Sequence, residues 1–210
     1  MDLELSKFEN VKLDIDINTL LILQKNTVIA IETDDFEDTK TIKFISAGYG
    51  IVECVSIKPD KYFKLYRPDE ISSYYFLGFT FANHNGFSYL EIASRGSELR
   101  LAQGDYFIIL FEDGSKVNYT FSKPHNGDRY VSTNVIPLTA FDLNNFLTKN
   151  ISKVKVVSKR KNLYSVYEVN KKENQQKGIF KYQYTNEQMG QLLLKFMTYK
   201  FIEFNIEKKI

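Results

Sequence analysis

Residues 74–93 read YYFLGFTFANHNGFSYLEIA and residues 106–121 read YFIILFEDGSKVNYTF. Each stretch is a pair of apolar, aromatic-rich runs interrupted by one dipeptide, Asn85-Gly86 in the first and Asp113-Gly114 in the second. Aromatic residues suit the pleated, half-buried surface of a sheet, and Asn-Gly and Asp-Gly suit the φ > 0 positions of type I′ turns. The stretches therefore predict two antiparallel hairpins, Tyr74 to Ala82 with Phe87 to Ala93, and Tyr106 to Glu112 with Lys116 to Phe121. The predicted class is α+β, a mainly antiparallel β-sheet assembly with two helices in the C-terminal half. One echo joins the two stretches, since Phe79-Thr80-Phe81 runs into His84-Asn85-Gly86 as Tyr119-Thr120-Phe121 runs into His125-Asn126-Gly127. Two matches do not define a repeat.

Upstream, Val11, Leu13, Ile15 and Ile17 alternate with Lys12, Asp14, Asp16 and Asn18, which predicts a half-buried strand from Val11 to Asn18. Leu20-Leu21-Ile22-Leu23 and Val28-Ile29-Ala30-Ile31 flank Gln24-Lys25-Asn26-Thr27, and the β-branched second half favours two paired strands over one helix. An acidic loop from Glu32 to Asp38 follows. Strands are then expected from Thr41 to Ile45 and from Ile51 to Ile57, around the turn Ala47-Gly48-Tyr49-Gly50.

Helical signals lie in the second half. Thr139 and Asp142 place a capping oxygen and a first-turn carboxylate at a helix start, and Leu138 and Leu143 have the spacing of a hydrophobic staple. Leu143, Phe146 and Leu147 share a face, with Asn150 as a left-handed stop. Strands Ile151 to Ser158 and Leu163 to Val169 follow, joined by a basic turn. A polar loop from Asn170 to Gly178 and a short strand from Ile179 to Tyr184 lead to a second capping box, Thr185 and Gln188. Met189, Leu192, Leu193, Phe196 and Met197 form the apolar face of the closing helix. After Tyr199, the alternation of Ile202, Phe204 and Ile206 suits a final strand as well as helix continuation. A single domain over 1–210 is expected. The alternative is a division near Pro68 into a β-rich 1–68 and a 69–210 part of hairpins with helix-hairpin-helix.

The segment from Gly96 through Val157, with Leu99-Arg100-Leu101, Gly104-Asp105, the strand ending in Asp113-Gly114, Leu138-Thr139 with Asp142-Leu143 and the strand Ile151 to Val157, resembles a domain recurrent in uncharacterised bacterial proteins. The resemblance covers under a third of the chain. It implies a fold and carries no activity or catalytic residues.

Composition narrows function by exclusion. Twenty-eight basic against 26 acidic side chains leave a formal charge of +2, too small to bind nucleic acid or an anionic membrane without a local patch. Cys54 is the one cysteine, so no intramolecular disulfide framework exists. The opening Met1-Asp2-Leu3-Glu4-Leu5 lacks a signal-peptide pattern, and a cytoplasmic, reducing location is expected. Apolar runs fall short of the roughly 20 residues that cross a bilayer, so no membrane insertion is expected. Seventeen Phe and 14 Tyr with no Trp suit a thick β core with Tyr hydroxyls at its rim.

Phosphate loops, dinucleotide fingerprints, nucleophile elbows and His-Glu-x-x-His are absent from the sequence, and no cofactor is expected. Two histidines do not assemble an ordinary multi-histidine metal centre, so no metal is expected. Cys54 alternates with Val52 and Ser56 and reads as a small buried hydrophobe. Glu32, Asp34, Asp35, Glu37 and Asp38 lack EF-hand spacing and read as a solvated loop. His84 and His125 each precede Asn-Gly at a predicted hairpin tip, where an imidazole would serve as acid or base with Asp128 orienting it. Against that catalytic reading stands a solvent-facing turn.

Lys149, Lys153, Lys155, Lys159, Arg160 and Lys161 fill a stretch without an acidic residue until Glu168. Lys153 and Lys155 point opposite to Val154 and Val156 on the expected strand, giving one positive face. Tyr164 and Tyr167 enter from the next strand, adding rings for stacking beside cations that meet phosphates. The competing role is a lysine-guarded sheet edge. The leading functional expectation is a non-catalytic protein-interaction module or structural protein, whose partner is another protein or its own copy. The alternatives are weak non-specific nucleic-acid binding through Lys153, Lys155, Lys159, Arg160, Lys161, Tyr164 and Tyr167, and an enzyme using His84, His125 and Asp128.

Overall fold

The computed structural model describes residues 5–8, 10–25, 27–34, 39–46, 63–66, 76–95, 100–127, 131–169 and 186–207. In chain order these form a 3₁₀ turn (Leu5–Phe8), helix α1 (Ile17–Lys25) and strands β1 (Thr27–Asp34), β2 (Thr39–Ser46), β3 (Phe63–Tyr66), β4 (Phe76–His84) and β5 (Phe87–Arg95). Strands β6 (Tyr106–Phe111), β7 (Lys116–Thr120), β8 (Asn126–Gly127) and β9 (Val131–Pro137) follow, then helix α2 (Ala140–Thr148). Strands β10 (Ile151–Ser158) and β11 (Leu163–Val169) and the long helix α3 (Asn186–Glu207) complete the order. Every described strand pair is antiparallel. The protein is α+β and mostly strand, with α2 and α3 in its C-terminal half.

Both hairpins form, through different turns. Asn85 and Gly86 have φ of +46° and +82°, the two left-handed positions of a type I′ turn, and β4 pairs with β5 along its whole length. In the second hairpin only Gly114 is left-handed, at φ +82°. Gly114 N–H donates to Phe111 O (3.0 Å) and Phe111 N–H to Ser115 O (3.0 Å), a tight turn closed by a glycine bulge. The expectation of a type I′ turn at Asp113-Gly114 is corrected: Asp113 stays right-handed because its carboxylate accepts from the Ser115 N–H (2.9 Å) and hydroxyl (2.6 Å).

Strands β7-β6-β10-β11 form one four-stranded sheet, and β11 meets β3 at Glu168↔Tyr66 and Val169↔Leu65. The second sheet runs β3-β4-β5-β9-β8. On one edge of β4, β3 pairs the Phe76–Phe79 half and β2 the Phe81–His84 half. Strands on either side of Pro68 are thus neighbours, though Pro68 itself lies outside the described residues.

Phe79 and Phe81 on β4 point into the core. Phe79 meets Phe107 of β6 (6.3 Å between centroids) and Phe146 of α2 (6.3 Å), while Phe81 meets Phe146 (5.7 Å) and Phe201 of α3 (5.8 Å). One aromatic layer therefore joins both sheets to α2 and α3, each fully buried ring being worth about 1.5–3 kcal/mol relative to exposure. Two polar side chains inside tie the sheets together. Asn134 of β9 donates to Leu101 O (2.7 Å) and Lys123 O (2.9 Å), and Ser132 accepts from Leu101 N–H (3.1 Å), fastening the segment before β6 to the second sheet.

Helix α2 starts as expected. Thr139 accepts from Asp142 N–H (3.2 Å), Asp142 accepts from Thr139 N–H (2.8 Å), and Leu138 and Leu143 are buried as a staple requires. Its stop is different. The cap is Lys149 in extended backbone (φ −110°, ψ 153°), and the Asn150 amide donates to Glu112 (2.9 Å) instead of turning left-handed.

Two expectations in the first 25 residues are corrected. Residues 11–16 carry the alternating exposure of a strand, with Val11, Leu13 and Ile15 half-buried, yet they pair with no described strand. Asp16 then ends the extended run by capping a helix, its carboxylate accepting from Asn18 N–H (3.0 Å), Thr19 N–H (3.0 Å) and the Thr19 hydroxyl. Leu20 to Leu23 is accordingly part of α1 and not a strand. At the other end α3 continues through Ile202 and Phe204 to Glu207, with Phe201 and Ile202 buried on the face that already holds Phe196 and Met197. The expected strands Ile51 to Ile57 and Ile179 to Tyr184 lie outside the described residues, as do the Ala47–Gly50 turn, the Asn170–Gly178 loop and Thr185.

Candidate functional site

The geometry of β10 begins with a bulge. Ile151 pairs with Phe111 and Lys153 with Leu110, so one residue of β10 is extra and the side-chain phase reverses. Ile151, Val154 and Val156 are all buried as a result, while Lys153 and Lys155 face outward. Gln191 of α3 supports the bulge by accepting from Ile151 N–H (3.1 Å) and donating to Ile151 O (2.7 Å).

Register carries the outward face across the sheet, because directly opposed residues of antiparallel strands share a face. Lys153, Lys155 and Val157 lie opposite Leu110, Ile108 and Tyr106 of β6, which lie opposite Lys116, Asn118 and Thr120 of β7. On the other side Lys155 and Val157 lie opposite Val166 and Tyr164. The face is a half-exposed stripe of Leu110, Ile108, Tyr106, Val157 and Val166 with cations among and beside it. Tyr164 is 63% exposed, and the Lys155 ammonium sits 4.2 Å from its ring centroid. The Lys159 ammonium is 5.5 Å from the Tyr106 ring. Such cation–ring contacts hold ammonium groups close to the sheet plane.

The turn between β10 and β11 is anchored from below. Buried Asp105 accepts from Lys159 N–H (3.0 Å) and Ala102 N–H (3.2 Å), and Asn162 closes the turn at φ +53°. Arg160 and Lys161 are exposed there. At the opposite end, Asp113 is held down to about 2 by the Ser115 hydroxyl first and by Lys149, whose ammonium is 2.9 Å away.

The structure brings together Lys155, Lys159, Arg160, Lys161 and Tyr164, and it removes two members of the expected set. Tyr167 is fully buried opposite Val154 and presents no ring to a ligand. Lys153 forms an ion pair with Glu168 at 2.9 Å, because the hairpin folds back the acidic residue that ends the basic stretch in sequence. Tyr106, Lys116 and Asn118 join the face unannounced. Their only sequence signal is the Asp113-Gly114 hairpin, which does not say that β6 pairs with β10.

The histidines stand apart. His84 lies opposite Thr41, whose hydroxyl is 2.7 Å from its Nδ1. His125 precedes Asn126-Gly127, which form β8 and not a turn tip. Asn126 is opposite Thr133, Thr133 opposite Ala93 and Ala93 opposite Gly78, six positions from His84. That is about 20 Å along the strand and about 14 Å across three strand spacings. A shared acid–base site is beyond the reach of a hydrogen bond or one bridging water. Asp128 and Cys54 lie outside the described residues, as do Asp35, Glu37 and Asp38 of the acidic cluster. Glu32 and Asp34 belong to β1. Among the described residues no group of three or more His, Cys, Asp or Glu could hold a metal ion.

A cleft of 260 Å³ lies between the 3₁₀ turn, α2 and α3, lined by Phe8, Val11, Leu147, Tyr199, Ile202, Glu203 and Ile206. Its single carboxylate, Glu203, accepts from Tyr199 (3.2 Å) and pairs with Lys200. No helix among the described residues is long and apolar enough to cross a membrane. No family model, curated protein or solved structure matches the chain.

Proposed function

We propose that the protein is a binding module that takes single-stranded nucleic acid on the outward face of β7-β6-β10-β11. The observation that carries this reading is the exposed Tyr164 ring with Lys155 over it and the neighbouring Tyr106 ring with Lys159 beside it. Bases stack on aromatic rings whatever their sequence, and ammonium groups at the ring margins meet the phosphates between stacked bases. Lys116 and Arg160 extend the cationic track to the two ends of the face. Duplex DNA, whose bases are already stacked, should bind less well. The cytoplasmic location expected from the single cysteine belongs to the same proposal.

Fluorescence anisotropy with labelled oligonucleotides tests it. About four phosphate contacts give a log–log salt slope near −3 on single strands. Lys155→Glu with Lys159→Glu should flatten that slope, and Tyr164→Ala should weaken binding about 5- to 150-fold at unchanged slope, the range stacking of one base supplies. Absence of binding at low salt, or equal binding by all variants, would overturn the reading. The half-exposed Ile108, Leu110, Val157 and Val166 favour a protein partner as the second reading. An acidic peptide displacing the oligonucleotide at equal charge concentration would select it.

A further inference from the structure

Among the described residues strand β7 ends its sheet, and its backbone decides what can lie beside it. Phe111 N–H donates to Ser115 O (3.0 Å) at the turn, and Phe121 N–H donates to Asp105 O (2.9 Å) at the far end. Hydrogen-bonded positions alternate along an antiparallel ladder, so Ser115, Val117, Tyr119 and Phe121 turn their backbone groups toward β6. Lys116, Asn118 and Thr120 turn theirs toward the open edge, and all three residues are exposed. The devices that blunt an edge are sparse from Lys116 to Thr120: one lysine, no proline and no bulge.

We infer that β7 is a self-pairing edge, on which a second copy of this chain adds its own β7 antiparallel about a two-fold axis at Asn118. In this register Asn118 opposes Asn118 of the second copy, and Lys116 opposes Thr120 in both directions. All three opposed pairs use the outward backbone groups, giving about six hydrogen bonds, two for each directly opposed pair. Charge fits as well: lysine never faces lysine, and the exposed Lys123 of one copy runs toward the strand end where the other carries Asp113. Val117 and Tyr119 continue the inner face, where the Tyr119 hydroxyl is already held by Asp142. Because the axis is perpendicular to the sheet, the two outward faces lie side by side on one eight-stranded sheet. The inference is independent of what that face binds.

Cross-linking and sedimentation without ligand test it. In a Cys54→Ser background, Asn118→Cys places two thiols on Cα atoms about 5.5 Å apart, inside the disulfide range. Thr120→Cys places them about 14 Å apart, four residues along the strand. Oxidised glutathione should convert the first variant to covalent dimer and leave the second monomeric. Equal cross-linking of both, or of neither, overturns the register. Sedimentation equilibrium of the unmodified chain should show the average mass rising above 24.5 kDa toward twice that value between about 1 µM and 1 mM. Asn118→Pro removes an N–H that points away from β6, so it should fold and stay monomeric. Should it not fold, Asn118→Lys sets two lysines face to face across the axis and should likewise abolish the dimer. A mass of 24.5 kDa throughout, or a dimer untouched by both substitutions, refutes the pairing.

Discussion

Replacing Asp142 by alanine should cost about 3–5 kcal/mol, because one buried carboxylate joins a helix start to the edge strand of a sheet. Its Oδ2 accepts from Thr139 N–H (2.8 Å) and the Thr139 hydroxyl (2.6 Å), and its Oδ1 accepts from the Tyr119 hydroxyl (2.5 Å). Losing the returning arm of a capping box costs about 1 kcal/mol. Losing a hydrogen bond to a charged acceptor adds about 1.5–3 kcal/mol, and the half-buried phenol left without a partner brings its own desolvation penalty. Tyr119→Phe removes the donor together with the need for it and should cost less, about 1.5–2.5 kcal/mol. The double variant should then be milder than additive by about 1–2 kcal/mol. Urea unfolding followed by far-UV circular dichroism measures all three, with no tryptophan available as a probe. The Tyr119 phenol also titrates well above its ordinary 10.0, through burial first and Asp142 second. A raised folded value means stability that is complete below pH about 10 and lost above it, a loss Tyr119→Phe should lessen. An Asp142→Ala penalty under 1 kcal/mol, or strict additivity, would refute the assignment of these bonds.

Three further outcomes follow from single contacts. Asp113 is depressed from 3.8 to about 2, so the contribution of its turn is present above pH 4 and disappears as pH falls toward 2; protection of the Ser115 N–H against exchange, relative to its intrinsic rate at each pH, should fall across that window, and Asp113→Asn should remove that fall. Glu168→Gln releases Lys153 from its ion pair and removes an acid from the face, so oligonucleotide affinity should rise and the salt slope should steepen by about 0.7; unchanged binding would place the ligand elsewhere. The Tyr167 hydroxyl is buried without a partner among the described residues, so Tyr167→Phe should be neutral or stabilising by about 1 kcal/mol in thermal unfolding, and a large loss would disprove that burial.

Local signals carried much of the fold. Asn85-Gly86, the Thr139–Asp142 box and the lysine–valine alternation of β10 each act through neighbours within a few residues, and each forms as read. The first 25 residues misled for the same kind of reason. Val11 to Ile17 alternates well enough for a strand, but Asp16 sits two and three residues before the N–H groups it caps, and a cap outcompetes an extended run that pairs with no described strand. The end of α3 was ambiguous because Ile202, Phe204 and Ile206 alternate, and what settles it is packing: Phe201, silent in that alternation, lies against Phe81 from a distant strand.

The candidate site was legible only where it is local to β10 and β11. Tyr106-Phe107-Ile108-Ile109-Leu110-Phe111 is apolar on both faces, so hydropathy cannot tell the core side from the outward side. What distinguishes them is pairing with β10, forty residues downstream, which turns Phe107, Ile109 and Phe111 inward and leaves Tyr106, Ile108 and Leu110 between two lysine-bearing strands. A strand apolar on both faces, with cations on its neighbours, leaves half-exposed hydrophobic surface outside the core formed by the described residues. That is the physical content of the binding proposal. It also accounts for the bulge at Ile151 to Lys153: in a regular strand these two residues, two positions apart, would share a face, and either an isoleucine would leave the core or a lysine would enter it. Gln191 supports the backbone at that point, so Gln191→Leu should destabilise β10 and disturb the lysine face together, whereas a substitution on the outward face should alter binding alone.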